Sequence, residues 1–238
     1  MTKSTQVTKL FSDALLYDRE LQQAARAQER GSLDKLNPYI TDFGKCPRAV
    51  GYSLLNEPVT NPPGVESLAN FLFGHAAEDA YAKVLEQYGL TVIREVRVEV
   101  SGTSGRIDFL LWSDDLETLI EMKTSKGFQL RFLPNEQHIR QLNGYLHAGN
   151  LGLLKDKGIE PSMCESGVLL YIMKDATKGK PVFLPFDIPY DEAQALQDLD
   201  TNDAIRDMLP NLVPRPAGYK PNSFPCGWCD WRDTCWST

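Results

Sequence analysis

Gly105-Arg-Ile-Asp-Phe-Leu-Leu-Trp-Ser-Asp-Asp-Leu-Glu-Thr-Leu-Ile-Glu-Met-Lys123 reads as two strands joined by a tight turn. Arg106 to Trp112 form the first strand and Glu117 to Lys123 the second, with turn-forming residues in Ser113-Asp-Asp-Leu116 between them. A two-residue loop at Asp114-Asp115 pairs Ser113 with Leu116. Counting outward from there sets Asp108 opposite Glu121. Directly opposed residues share a face, with Cβ atoms about 5 Å apart. Two carboxylates so placed repel one another and weaken an empty hairpin, and a divalent cation between them reverses the sign. Period-two alternation adds Lys123 to that face and turns Ile107, Phe109, Ile120 and Met122 the other way, into a core. Hard oxygen ligands beside an ammonium group are what metal-assisted phosphodiester hydrolysis requires.

The flanking chain supports a layered fold. Thr91 to Val100 alternates Val96, Val98 and Val100 against Arg97 and Glu99, as a strand does, and Ser101 to Gly105 turns into the hairpin. Before it, Glu66 to Tyr88 has helical spacing, with Leu68, Phe71, Leu72, Ala76, Ala80, Val84 and Leu85 expected in the core and Gly89 as its stop. His75, Glu78 and Asp79 lie within a turn of one another on this helix. After the hairpin, Thr124 to Pro134 is expected to be a loop whose Lys126 and Arg131 meet backbone phosphates. Asn135 caps a helix to about Ala148, in which Ile139, Leu142 and Leu146 face the core and Gln137, Gln141 and Tyr145, spaced by four, form a separate polar stripe. Strands follow at Gly167 to Lys174 and near Pro181 to Ile188, then a helix from about Asp191 to Leu209. This order gives an α/β fold, a mixed sheet flanked by helices.

The ends of the chain carry a different signal. A helix from about Thr5 to Gln28, stopped by Gly31-Ser32, makes residues 1–37 an N-terminal extension to a domain over 38–238. Thr41 or Asp42 is expected to cap a short helix carrying Cys46 and Arg48. Asn56 to Gly64 reads as a loop, and Pro210 to Pro225 as an irregular connection to Cys226-Gly-Trp-Cys-Asp-Trp-Arg-Asp-Thr-Cys235. The 238 residues suffice for a substantial core, and 42% apolar content argues against wholesale disorder. No apolar run approaches the ~20 residues of a membrane span, and Met1-Thr-Lys-Ser-Thr-Gln6 lacks the apolar stretch of a signal peptide. The expectation is a reducing cytoplasm, bacterial or phage-infected, and no membrane partner. A net charge of −7 argues against a non-specific DNA coat but does not exclude a nuclease, which meets phosphates locally and through metal ions. Five cysteines in such a compartment favour a metal site over disulfides, and Cys164 is left over as an ordinary thiol.

Taken together, Glu78, Asp108, Glu121-Met-Lys123 and Gln141-x-x-x-Tyr145 resemble the PD-(D/E)XK nuclease superfamily in its RecB-like branch. Cys46 in Cys-Pro-Arg, with Cys226-x-x-Cys229-x5-Cys235, resembles the iron–sulfur subset of that branch, which includes CRISPR-associated, AddB-type and phage exonucleases. The resemblance covers roughly Pro38 onward. It implies an αβββαβ restriction-endonuclease-like core, with a cluster region joining the N- and C-terminal segments. Many RecB-like domains place a His four residues after the helix glycine. Counted from Gly74, that position here is Glu78, with His75 and Asp79 as alternative ligands.

The resemblance implies Mg²⁺ or Mn²⁺ held by Glu78, Asp108, Glu121 and the Met122 backbone carbonyl. Lys123 would serve at the scissile phosphate, and Gln141, Tyr145, Gln137, Lys126, Arg131 and Arg48 would bind or orient DNA. It further implies a [4Fe–4S] cluster on Cys46, Cys226, Cys229 and Cys235, shielded by Trp228, Trp231 and Trp236. Zinc is the alternative for the same four thiolates. The function expected is a metal-dependent DNA exonuclease acting on single strands or ends, in recombination and repair, phage DNA processing or CRISPR adaptation. The competing readings are a non-catalytic DNA-binding or assembly module, and a subunit active only with a partner protein or as a homo-oligomer.

Overall fold

The computed structural model describes residues 9–10, 12–21, 24, 37–113, 116–175 and 182–237. Helix α1, residues 9–10, 12–21 and 24, falls within residues 1–37; its expected stop at Gly31-Ser32 and the Asp114-Asp115 turn lie outside the described residues. Helices α2 (Pro47–Leu54) and α3 (Val65–Gln87) precede strands β1 (Thr91–Val100), β2 (Thr103–Ser113) and β3 (Leu116–Ser125). Helix α4 (Glu136–Asn150), strands β4 (Ser166–Met173) and β5 (Phe183–Pro189), and helices α5 (Glu192–Met208) and α6 (Arg232–Ser237) follow. The five strands form one mixed sheet in the order β1-β2-β3-β4-β5. Only the β3–β4 pair is parallel, because α4 crosses over between them. The α/β architecture expected from the sequence is therefore present.

The β2–β3 ladder runs from Ser113↔Leu116 to Phe109↔Ile120, so Asp108 and Glu121 are the next residues beyond its end. This is the register counted from the sequence. The larger core lies between the sheet and α4, where Val96, Val98, Leu110, Leu119, Leu142, Leu146, Leu169 and Tyr171 are buried together. Phe109 and Met122 pack on the opposite face with Ala82 and Ile172, beneath α3. Ile107, expected beside Phe109, belongs to the larger core instead. Between the pairs Arg94↔Phe109 and Val96↔Ile107, Glu95 has φ +58°, which breaks the regular pleat there.

Three local expectations change. Thr41 and Asp42 do not cap the short helix. They lie in a 3₁₀ turn, where the Asp42 carboxylate accepts from the Tyr39 N–H at 2.9 Å, and Cys46 is the N-cap of α2. Pro47 sets that boundary, because its missing N–H and fixed φ suit the first helical position. Helix α3 buries only Ala82, while Phe71, Leu72 and Val84, expected in the core, are exposed. Helix α4 does the reverse. Its Asn135 cap forms as expected, accepting from the Gln137 N–H at 2.8 Å, but Gln141 and Tyr145 are buried rather than part of a surface stripe.

Candidate active site

The central hairpin and α3 converge on a cleft of about 1140 Å³ lined by Glu78, Asp108, Lys123, Gln141 and Tyr145. Glu121 lies beneath it, fully buried. The Lys123 ammonium donates to Glu121 Oε1 and stands 3.9 Å from Asp108 Oδ2, between the two carboxylates. Glu121 Oε2 is buried without a hydrogen-bond donor. A buried carboxylate oxygen in that condition is costly, and such groups call for an explanation.

The electrostatics follow from this crowding. Desolvation pushes the Glu121 carboxyl up to about 8, with the charges of Asp108 and Glu78 adding to the effect and Lys123 opposing it. Desolvation also raises Asp108, against Lys123 and a side-chain hydrogen bond with Glu121, so the two hairpin acids share a proton when no metal cation lies between them. Glu78 is raised by desolvation and by Asp108, while His75, whose Nδ1 lies 3.6 Å from Glu78 Oε2, pulls it down. Burial works against the Lys123 charge, but the carboxylates of Glu121, Asp108 and Glu78 outweigh it and hold its pKa above the usual lysine value. One ammonium is thus shared among three acids that resist ionising together.

Among the described residues, no three His, Cys, Asp or Glu side chains stand close enough to hold a metal ion as they are. Lys123 occupies the space between the hairpin carboxylates. The donor set nevertheless fits a hard divalent cation: Glu78 and Asp108 on the cleft wall, and Glu121 buried beneath it with an orphaned oxygen. Met122 lies between Glu121 and Lys123 in β3, with its side chain in the smaller core. Asp79 is turned away, bonded to Arg94 at 2.6 Å on an exposed surface.

The residues expected to meet DNA divide into groups. Gln141 lines the cleft and donates to the Tyr145 hydroxyl at 3.2 Å. Tyr145 is itself fully buried, and desolvation followed by Glu121 raises its pKa. Gln137 donates to the Gly44 carbonyl at 3.3 Å and so holds the segment before Cys46. Arg48 donates to the Tyr52 hydroxyl and the Val213 carbonyl, each at 3.2 Å, and serves as an internal brace. Lys126 and Arg131 lie outside the cleft lining, beyond the end of β3. Besides Lys123, the lysines and arginines that do line it are Lys45, Arg97 and Arg106, which the sequence does not single out. For Arg106 a signal existed: it precedes Asp108 by two residues in the same strand.

The four patterned cysteines form no disulfide and lie near enough to influence one another electrostatically. Burial raises the Cys46 thiol, with backbone N–H groups opposing and the Cys226 and Cys235 thiolates adding; burial likewise raises Cys229, with Cys46 and Cys235 contributing. The segments carrying them are tied together. Thr60 and Asn61 donate through their backbone to the Asp230 carbonyl at 3.0 and 2.8 Å, and Trp231 Nε1 donates to the Glu57 carbonyl at 2.9 Å. Arg215 donates to the Cys235 carbonyl and lies over the Trp236 ring. Trp228, expected as a shield, is exposed. Asp230 and Trp231 form part of the cleft wall, so the cysteine region borders the candidate active site.

No curated protein matches the chain in sequence. Among solved structures, SSO0001 superposes with a TM-score of 0.51 at 19% identity, covering 90% of this chain and 93% of that one, which is a likeness of fold. The alkaline exonuclease LHK-Exo from Laribacter hongkongensis gives a TM-score of 0.40 at 16% identity, over 58% of this chain and 66% of its own. The family model of the PD-(D/E)XK nuclease superfamily matches residues 58–236, a span that takes in Glu78, the hairpin, α4 and the terminal cysteines. On that match, the chain belongs to the PD-(D/E)XK nuclease superfamily.

Proposed function

We propose that this nuclease is a divalent-metal-dependent deoxyribonuclease that degrades DNA from ends or along single strands. The observation that carries the reading is the buried, donorless Oε2 of Glu121 beside Asp108 and Lys123, at the base of a cleft large enough for a nucleotide chain. Asp108, Glu121 and Glu78 would hold Mg²⁺ or Mn²⁺, with the Met122 carbonyl as a further ligand and His75 as the alternative to Glu78. When bound, such an ion supplies Lewis-acid polarisation of the phosphate and a lower pKa for water. Lys123 then exchanges its contact with Glu121 for one with the attacking water or the phosphate, and offsets negative charge as it develops. Gln141 and Tyr145 fix the position of the hairpin carboxylates. Lys45, Arg97 and Arg106 meet the DNA backbone.

The cysteines fit the same reading. Four thiols from distant parts of the chain meet in one region, and their soft sulfur donors suit a [4Fe–4S] cluster of the RecB-like branch, with zinc as the alternative. The cluster would join the start of the 38–238 domain to its far segment, with residues 1–37 as an extension. Elemental analysis of anaerobically purified protein separates iron from zinc. A second reading, a subunit that needs another protein or further copies of itself, is favoured by the exposed Phe71, Leu72 and Phe73 on α3.

The deciding experiment is cleavage of 5′- and 3′-end-labelled single-stranded DNA with Mn²⁺, Mg²⁺ or EDTA, alongside Asp108→Ala and Lys123→Ala. Metal-dependent loss of label, absent in both variants, is expected, and the label that survives gives the polarity. Folded, metal-loaded wild type that leaves the DNA intact would reject the stand-alone enzyme in favour of the partner-dependent one.

A further inference from the structure

We propose that the turn following β3 is a stacking shelf for the unpaired bases of a single nucleic-acid strand whose backbone passes through the active-site cleft; this rests on the nuclease reading above. The turn, Gly127–Phe132, is a 3₁₀ helix held firmly at several points. The Gln129 side chain accepts from the Lys126 N–H at 3.1 Å and from the Ser125 hydroxyl at 3.0 Å. The Gly127 N–H donates to Asp175 at 2.7 Å. Leu130 and Leu133 pack on the larger core. With its leucines turned inward, the turn presents Phe128 and Phe132 to solvent, 70% and 64% exposed, with the Arg131 guanidinium 4.7 Å from the Phe132 ring centroid.

Two aromatic rings and a guanidinium, held out on a braced turn that already has its apolar anchors, contribute nothing to the core. Their chemistry suits one ligand: flat, apolar bases on an anionic backbone. Aromatic faces stack on any base, arginine adds a cation–π contact, and the adjoining Lys126, 3.8 Å from the exposed Glu66 carboxylate, would exchange that partner for phosphate. A duplex offers free base faces only at its two ends, so the shelf selects unpaired strands. Continuity with the cleft comes through a neighbouring cavity of about 420 Å³. Phe132 and the 75%-exposed Phe224 line that cavity, and it shares Asp42 and Lys45 with the active-site cleft.

The test uses the full chain in EDTA, with fluorescence anisotropy of labelled oligothymidine and of a blunt duplex. Phe128→Ser/Phe132→Ser is expected to weaken single-strand binding about tenfold or more while leaving the duplex unchanged, and Phe128→Tyr/Phe132→Tyr is expected to restore it. With Mn²⁺ present, the serine variant should still cleave a substrate too short to reach the turn, at the wild-type rate. Unchanged single-strand affinity would overturn the shelf. So would a serine variant that turns an oligomer into a monomer by light scattering while binding DNA as before, since the rings would then be a self-association surface. Failure of the nuclease reading has a separate signature: wild type that binds single strands through the shelf but cleaves no substrate.

Discussion

Helices α3 and α4 cover opposite faces of the same sheet, and they are seated very differently. In α4 every residue from Gln141 to Gly149 is buried, whereas in α3 only Ala82 is. The difference shows how the site is built. One side is rigid: α4 fixes Gln141 and Tyr145 against the hairpin, so Asp108, Glu121 and Lys123 are held by packing. The other side is less anchored: Glu78 sits on a helix that buries one residue, so fewer packing contacts fix its distance from the hairpin. Two carboxylates held by packing and a third on a lightly buried helix would accommodate a cation and a phosphate without strain in the core.

The comparison is sharpened most by the acids themselves. Lys123→Ala or Glu121→Gln on the rigid side should lower kcat by about 10²- to 10³-fold at any metal concentration, whereas the loss in Glu78→Gln should be recovered largely by raising Mn²⁺. Metal titrations of steady-state cleavage distinguish the two, and equal rescue of all three variants would mean that α3 is as firmly seated as α4.

Stability provides the next contrast. Leu142→Ala in α4 should cost roughly 2–5 kcal/mol in urea unfolding, because it empties a fully buried site, while the exposed Leu72→Ala in α3 should change stability by less than about 0.5 kcal/mol. A large cost at Leu72 would break the comparison by showing that α3 is covered in solution.

A smaller effect depends on pH. Burial, followed by the nearby Lys123 charge, pushes His138 at the start of α4 down to about 4. The Tyr171 hydroxyl accepts from the Asn135 N–H at 3.0 Å and is 2.8 Å from His138 Nδ1, so its proton points to a neutral imidazole. Because the folded pKa lies below the unfolded value near 6.5, the stabilisation is complete above about pH 6.5 and is lost as pH falls toward 4. Allowing for partial solvent screening, the loss is on the order of 2 kcal/mol. Urea midpoints of wild type and His138→Gln, compared at pH 7 and at pH 5, isolate it as the difference between the two proteins, because the raised Glu121 carboxyl shifts stability the opposite way over that range in both. Asn135→Ala, which removes the α4 cap, should cost about 1 kcal/mol and lower the melting temperature without altering metal affinity.

What could be read in advance was local. Turn residues and alternation were sufficient to place Asp108 opposite Glu121, and the Asn135 cap followed from residue type. Long-range packing was not accessible in this way. The spacing of Phe71, Leu72 and Val84 is that of a buried helix face, yet whether a face is covered depends on where the sheet ends, which spacing does not encode. Gln141 and Tyr145 looked like surface because they are polar; they are buried because they bond to each other beneath the cleft. Arg97 and Lys45 line the cleft through a juxtaposition of separate elements that no single stretch of sequence reveals.

The cleft wall at Asp230 and Trp231 has a consequence for the timing of synthesis. Translation delivers Glu78, the hairpin and α4 well before the cysteine segment that closes the cleft beside them. While that segment is still inside the ribosome, the carboxylates can emerge but the cleft beside them lacks a wall. On the function proposed above, the nascent chain would pass messenger and ribosomal RNA with its candidate catalytic residues made but its cleft still open.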